Sequence, residues 1–297
     1  MADKIKRFFQ RTKRNEIRKS KFRSDCDRNM RSEEMFRRRL KRPYAARLRP
    51  RRVCVARLCR ALHVARPAWG ADVVSSNIVG YEKITITPGL NMIGNQFLAV
   101  GGDAFQNINQ MFKESDDFVA GASDSEADSI LTWNGSSYNN IYYYDDFDYS
   151  WYNTDDLSAS TTDIVTMGQG VWFKHQGTKS VTTTLAGEVP TNNAFEVTIT
   201  TGLNFVANPY PMAICPNGEY FSVEGIVAGA SDSEADSILT WNGSSYNNIY
   251  YYDDWDNNWY NTDDLSSAVS DAILKPAMGF WYKHQGTGAT LTFKKPY

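Results

Sequence analysis

Three histidines are the whole supply of side chains that titrate near neutral pH by default in this 297-residue chain. His63 lies in a basic tract. His175 and His284 sit in matching strings, Trp172-x-Lys174-His175-Gln176-Gly177 and Trp281-x-Lys283-His284-Gln285-Gly286. A catalytic histidine acts on a neighbouring nucleophile and is held by a third group. No Gly-x-Ser-x-Gly string occurs, and Cys215 stands at a position with no cysteine in the matching part of the chain. The expectation is a pair of hairpin-edge histidines in a protein that is not an enzyme, with no catalytic residue to assign.

Carboxylates offer a second chemistry. Asp124, Glu126 and Asp128 alternate with small residues and recur as Asp232, Glu234 and Asp236. Alternate carboxylates open a calcium loop, but that loop needs glycine at its sixth position and a bidentate glutamate at its end. Ser129 and Ser237 occupy the sixth position. The reading is a solvated acidic loop and no cofactor, with calcium as the alternative in a calcium-stabilised surface-layer unit. Asp145, Asp146, Asp148, Asp155 and Asp156 add acids nearby. Paired carboxylates also serve glycoside hydrolysis, so a glycosidase-like enzyme is a further alternative, disfavoured because the site would be duplicated. Aromatic rings carry the third possibility. In "YNNIYYYDD" the period of a strand puts Tyr138, Tyr142 and Tyr144 on one face, and the second copy does the same with Tyr246, Tyr250 and Tyr252. These six tyrosines, flanked by Asn and Asp, form the candidate ligand face, suited to carbohydrate or a cell-surface polymer. Trp133, Trp151, Trp172, Trp241, Trp259 and Trp281 are assigned to the core.

The elements that would position these groups come in two copies. The 28 residues from Val119 to Asp146 recur without change from Val227 to Asp254. Similarity extends outward in the same order: "ITITPGLNMIGNQF" with "VTITTGLNFVANPY", "WYNTDDL" with itself, and "MGQGVWFKHQGT" with "PAMGFWYKHQGT". Alternation of Ile84 and Ile86 with Thr85 and Thr87 predicts a half-buried strand. "SILTW", Asn134-Gly135 and "YNNIYYY" predict a hairpin. "GVWFKH" and "SVTTTL" around Gln176–Lys179 predict a second. Only 104–112, with Phe105, Ile108 and Phe112 at helical spacing, hints at a helix. That region is five residues shorter in the second copy and reads as a surface excursion. The fold class is all-β: two tandem antiparallel repeats, each sandwich- or barrel-like, spanning 71–189 and 190–297.

These motifs resemble those of secreted tandem-repeat β-proteins of outer-membrane-bearing bacteria, which read Gly-x-Asn-x-Ile-x-Asn-x-Phe, then Ala-Asp-x-Ile-x-x-Trp-x-Gly-x-x-Tyr, then Gly-Gln-Gly-Phe-Trp-x-Lys. The matching residues include Gly89, Asn91, Asn95 and Phe97, then Asp128, Trp133, Gly135 and Tyr138, then Gly168, Gln169, Gly170 and Trp172. The resemblance covers 78–297 and implies export and a β-rich module at the cell surface or outside the cell, with no activity attached.

Charge is segregated. Residues 1–66 hold 24 of the 32 Lys and Arg and 6 of the 34 Asp and Glu, a net of +18, and the remainder nets −20 with no arginine. Residues 1–70 are expected to be a disordered basic leader or an extended start. Nucleic-acid binding through them is the last alternative, disfavoured because the acidic body would compete for the same charges. No apolar run is long enough to span a membrane, and four cysteines give no disulfide framework. The leading expectation is an exported, non-enzymatic binding or structural module.

Overall fold

A computed structural model of the chain describes residues 78–103, 105–113 and 117–297. The expectations for 1–70 lie outside the described residues. The body is all-β and antiparallel. Its first half runs β1 (Val79–Ile86), β2 (Gly89–Gly94), β3 (Phe105–Asn107), a one-turn helix α1 (Ile108–Met111), β4 (Ser129–Trp133), β5 (Tyr138–Tyr144), β6 (Trp151–Asn153), β7 (Ile164–Thr166), β8 (Gly170–His175) and β9 (Val181–Glu188). The second runs β10 (Ala194–Ala207), β11 (Phe221–Glu224), β12 (Ser237–Trp241), β13 (Tyr246–Tyr252), β14 (Trp259–Asn261), β15 (Asp264–Ala268) and β16 (Gly279–Lys294). One sheet has the order β2-β8-β4-β5-β6, the other β10-β16-β12-β13-β14-β15 with β11 also on β16; β1-β9 and β3-β7 are separate pairs.

The Asn-Gly hairpin forms in both halves with one register. Ile130 faces Tyr142 and Ile238 faces Tyr250, and each hairpin has a bulge before its tryptophan. The predicted second hairpin does not form. β8 is paired on both edges, to β2 and β4, so no edge remains for β9, which pairs with β1 instead. In the second half the equivalent stretch is the unbroken β16, paired along β10. Pro88 accounts for part of the difference. It has no N–H to give a ladder and a fixed φ, and the chain breaks there between β1 and β2. Thr201 holds the equivalent place in β10, and its hydroxyl donates to the Gly286 carbonyl. The region after Phe105 is also not a surface excursion. Ile108, Met111 and Phe112 are buried, and the Phe112 ring packs on Trp151 and Phe173. Local geometry there is a strand followed by a single helical turn, capped by Asn107.

Each half has its own apolar core, one around Ile130, Tyr142, Trp151 and Phe173, the other around Ile238, Tyr250, Trp259 and Tyr282. A third cluster is shared, with Met92 and Trp172 from the first half and Phe205 and Trp281 from the second. Its contacts are reciprocal. The Trp133 indole N–H donates to the Leu203 carbonyl at 2.9 Å, and Trp241 donates to Leu90 at 2.8 Å. Trp172 meets Trp241 edge-on at 5.4 Å, and Trp133 meets Trp281 edge-on at 5.2 Å. Gly94 N–H donates to the Ala277 carbonyl and Ala207 N–H to the Gly168 carbonyl. Such paired contacts are the pattern of an isologous interface, here inside one chain. A side chain at Gly94 would run into Ala207, and one at Gly170 into Phe205, so glycine lets the two sheets meet. Trp151, Trp172, Trp259 and Trp281 are buried as expected; Trp133 and Trp241 are half-buried at the seam.

Candidate functional site

The histidines are enclosed. His175 and His284 are buried rather than edge residues, with Nδ1 of each 2.9 Å from a carboxylate oxygen of Asp128 or Asp236. Those carboxylates also accept backbone N–H bonds from Gln176 and Val119 in the first half and from Gln285 and Val227 in the second. The acidic stretch is thus not uniformly a solvated loop. Asp128 and Asp236 turn inward to serve histidine and backbone, while Glu126 and Glu234 remain exposed. The physical reason is donor supply: buried N–H groups need an acceptor, and a carboxylate offers several lone pairs. Among the described residues, no group of three His, Cys, Asp or Glu converges as a metal site.

The motif residues serve the backbone as well. Asn91 bridges the β1–β2 turn by accepting from Thr87 N–H and donating to the Thr87 and Gly89 carbonyls; Asn204 repeats this with Thr200 and Gly202. Gly89 and Gly202 have φ of 86° and 88°, a region that favours glycine. Asn95 and Asn208 hold further loops through Val165 and Leu274 carbonyls. Asn134 and Asn242 each accept from two serine N–H groups of the hairpin turn.

Four of the six candidate tyrosines are not on a ligand face. Tyr142, Tyr144 and Tyr250 are buried, and Tyr252 is packed against the second core. The Tyr142 hydroxyl donates to Asp163 at 2.8 Å, and burial followed by that carboxylate pushes its ionisation well above the ordinary tyrosine range. The structural reason is that this strand is covered on both sides, Tyr142 and Tyr144 by the core and Tyr143 by Ala127 and Tyr152, so alternation leaves no polar face. Tyr138 and Tyr246 are partly exposed. The bulge moves them to the seam side, where their hydroxyls accept from Trp172 and Trp281 at 2.9 Å.

Exposed rings sit one loop further on. In Asp145-Asp146-Phe147-Asp148-Tyr149 and Asp253-Asp254-Trp255-Asp256-Asn257, Phe147 is 58% exposed and Trp255 is 92% exposed. The loops are fastened. Asp145 accepts from Phe147 N–H at 3.0 Å and Asp253 from Trp255 N–H at 2.9 Å. Tyr152 and Tyr260 donate to Asp148 and Asp256 at 2.7 and 2.8 Å. The Tyr260 hydroxyl lowers the Asp256 ionisation below the usual aspartate range. Tyr149 and Asn257 take φ of 53° and 58°, which turns the chain back toward β6 and β14. Each half therefore offers an exposed ring with carboxylates around it, on a fixed loop. Sequence reasoning passed over both rings; the available signal was an aromatic residue between aspartates just outside a strand. The chain matches no protein-family model, no curated protein and no solved structure.

Proposed function

We propose that this protein is an exported, non-enzymatic binding module that holds a carbohydrate or related surface polymer through the Phe147 and Trp255 loops. The observation that carries the reading is the pair of exposed rings at equivalent places, each ringed by acceptors and each on a loop fastened to a sheet. An exposed aromatic ring can cover the apolar face of a sugar while carboxylates accept its hydroxyls, and a rigid loop limits the ordering cost of binding. Two such loops on one body favour a repeating polymer, since the second contact is intramolecular. The enclosure of His175 and His284, each held by a buried aspartate, supports a role without catalysis. The resemblance of the motif set to secreted repeat proteins supports export.

The test is titration of the protein with soluble polysaccharides while following tryptophan emission. A polymer that binds should shift the emission of Trp255, Trp255→Ala should remove the shift, and Phe147→Ala should weaken binding by the avidity factor. Binding that persists unchanged in the Phe147→Ala and Trp255→Ala double variant would overturn the assignment.

A further inference from the structure

Two strands at equivalent places, β1 and β10, leave a long edge without a strand partner among the described residues. Among the described residues β1 pairs only with β9, and β10 only with β16 along its first half. The direction of their backbone groups can be fixed from neighbours. Val189 N–H donates to the Ile78 carbonyl, and Lys295 N–H to the Asn193 carbonyl, so residues 78 and 193 point into their pairs. Backbone groups alternate along a strand. Tyr81, Lys83 and Thr85 therefore direct N–H and C=O to the outer edge of β1, and Ala194, Glu196 and Thr198 do so on β10. The next outward residues, Thr87 and Thr200, confirm the phase. Their N–H groups donate to Asn91 and Asn204 side chains, which stand in for a missing strand.

The two edges are complementary to each other. Lys83 and Glu196 hold equivalent positions and carry opposite charge. An antiparallel pairing with Lys83 opposite Glu196 sets Tyr81 against Thr198 and Thr85 against Ala194. All six side chains belong to the exposed face of their strands, while Ile84 and Ile86 and Phe195, Val197 and Ile199 belong to the covered face. One register thus pairs the charges, matches outward backbone groups and keeps both faces continuous. Ile78, Val79 and Tyr81 are exposed at the start of β1, at 63%, 46% and 71%. Beside β10 a cleft of about 460 Å³ lies open, walled by the Trp133–Gly135 turn and by Thr166–Gln169, and among the described residues Glu196 is the only charged one lining it. Further along, β10 already accepts a neighbour on this outer side, where Gln169 bridges Val206 and the Gly168 carbonyl accepts from Ala207 N–H.

We propose that a second copy of this chain adds its β1 edge to the β10 edge, extending the sheet from molecule to molecule. Edge pairing of this kind supplies main-chain hydrogen bonds for affinity and side chains for selection. Like edges are selected against, because a β10–β10 pair centred on this position brings Glu196 against Glu196 and a β1–β1 pair brings Lys83 against Lys83. The contact is heterologous. Each added copy leaves one β1 and one β10 edge open, so the product is an open chain of molecules rather than a closed dimer.

The experiment is sedimentation velocity and light scattering on the full chain over a concentration series. The expected result is concentration-dependent growth beyond the dimer. Lys83→Glu or Glu196→Lys alone should raise the concentration needed at least tenfold, and the two together should restore it. Thr198→Pro removes an outward N–H, which an edge strand tolerates; it should abolish growth while circular dichroism stays unchanged. A chain that is monomeric throughout the series overturns the proposal. So does association that persists in Thr198→Pro, or a charge-swapped double variant that fails to regain it.

Discussion

Tyr282 donates its hydroxyl to Asp236 at 2.9 Å, while Phe173 fills the same place beside Asp128 and has no hydroxyl to give. The loops beyond the histidines differ as well. His175 Nε2 lies 3.0 Å from the Lys179 carbonyl, whereas His284 Nε2 is buried with no partner among the described residues. Both carboxylates nonetheless anchor a histidine and two backbone N–H groups in the interior. Asp128→Ala and Asp236→Ala should each cost about 3–5 kcal/mol, because a partner is removed from a buried pair and its donors are stranded. Urea unfolding measures this, and a loss below about 1 kcal/mol would remove the pair from the account of stability. Tyr282→Phe copies the first half and should cost less, about 1.5–3 kcal/mol for a hydrogen bond to a charged acceptor. It should also alter the alkaline limb. Burial, reinforced by the Asp236 charge, raises the Tyr282 ionisation well above the ordinary value of 10. A group raised on folding contributes stability that is full below its unfolded value and is lost as pH rises toward the folded one. Stability should therefore fall above about pH 10, and fall less steeply in Tyr282→Phe. Equal slopes in the two proteins, from urea midpoints across that range, would contradict the assignment.

At the scale of the element, the two halves show which local rules are obligatory. Gly168 has φ of 79°, and the equivalent Ala277 is held at 54°. A left-handed alanine costs about 1–2 kcal/mol, offset in part by the greater freedom of unfolded glycine. Ala277→Gly should leave the urea midpoint unchanged or raise it. Gly168→Ala should lower it, since the new methyl would lie 2.8 Å from the Phe195 ring; the reverse order of midpoints would refute the strain argument. The same comparison explains what was legible in the sequence. The Asn134-Gly135 hairpin was readable because turn chemistry and alternation agree locally. The hairpin expected around Gln176–Lys179 was not, because pairing depends on which edges are free, and β8 has none. The expected tyrosine face did not form for a related reason. Alternation separates Tyr142 from Tyr143 but cannot say which side is covered when both are buried. A single bulge then carries Tyr138 away from Tyr142. Phe147 and Trp255 escaped notice because aromatic residues in a strand-rich chain are read as core, whereas here each lies in a turn whose backbone N–H is held by Asp145 or Asp253.

For the whole molecule, the reciprocal seam gives the repeated sequence a physical use. Trp133 and Trp241 each need a carbonyl from the other half, and neither half alone covers Trp172 or Trp281. Two independent β-domains would unfold separately. Halves that share four tryptophans at a seam should unfold together, with calorimetric and van't Hoff enthalpies equal. Trp172→Ala combined with Trp281→Ala removes one indole from each side, at about 3–5 kcal/mol apiece as cavities in the shared cluster. That variant should lose the coupling, so that its unfolding broadens or divides into two steps while the histidine–aspartate pairs inside each half survive to the later stage. Differential scanning calorimetry reads both quantities. A wild-type protein whose van't Hoff enthalpy is about half its calorimetric enthalpy would mean that the halves already unfold independently, and the seam would then be a contact without energetic consequence.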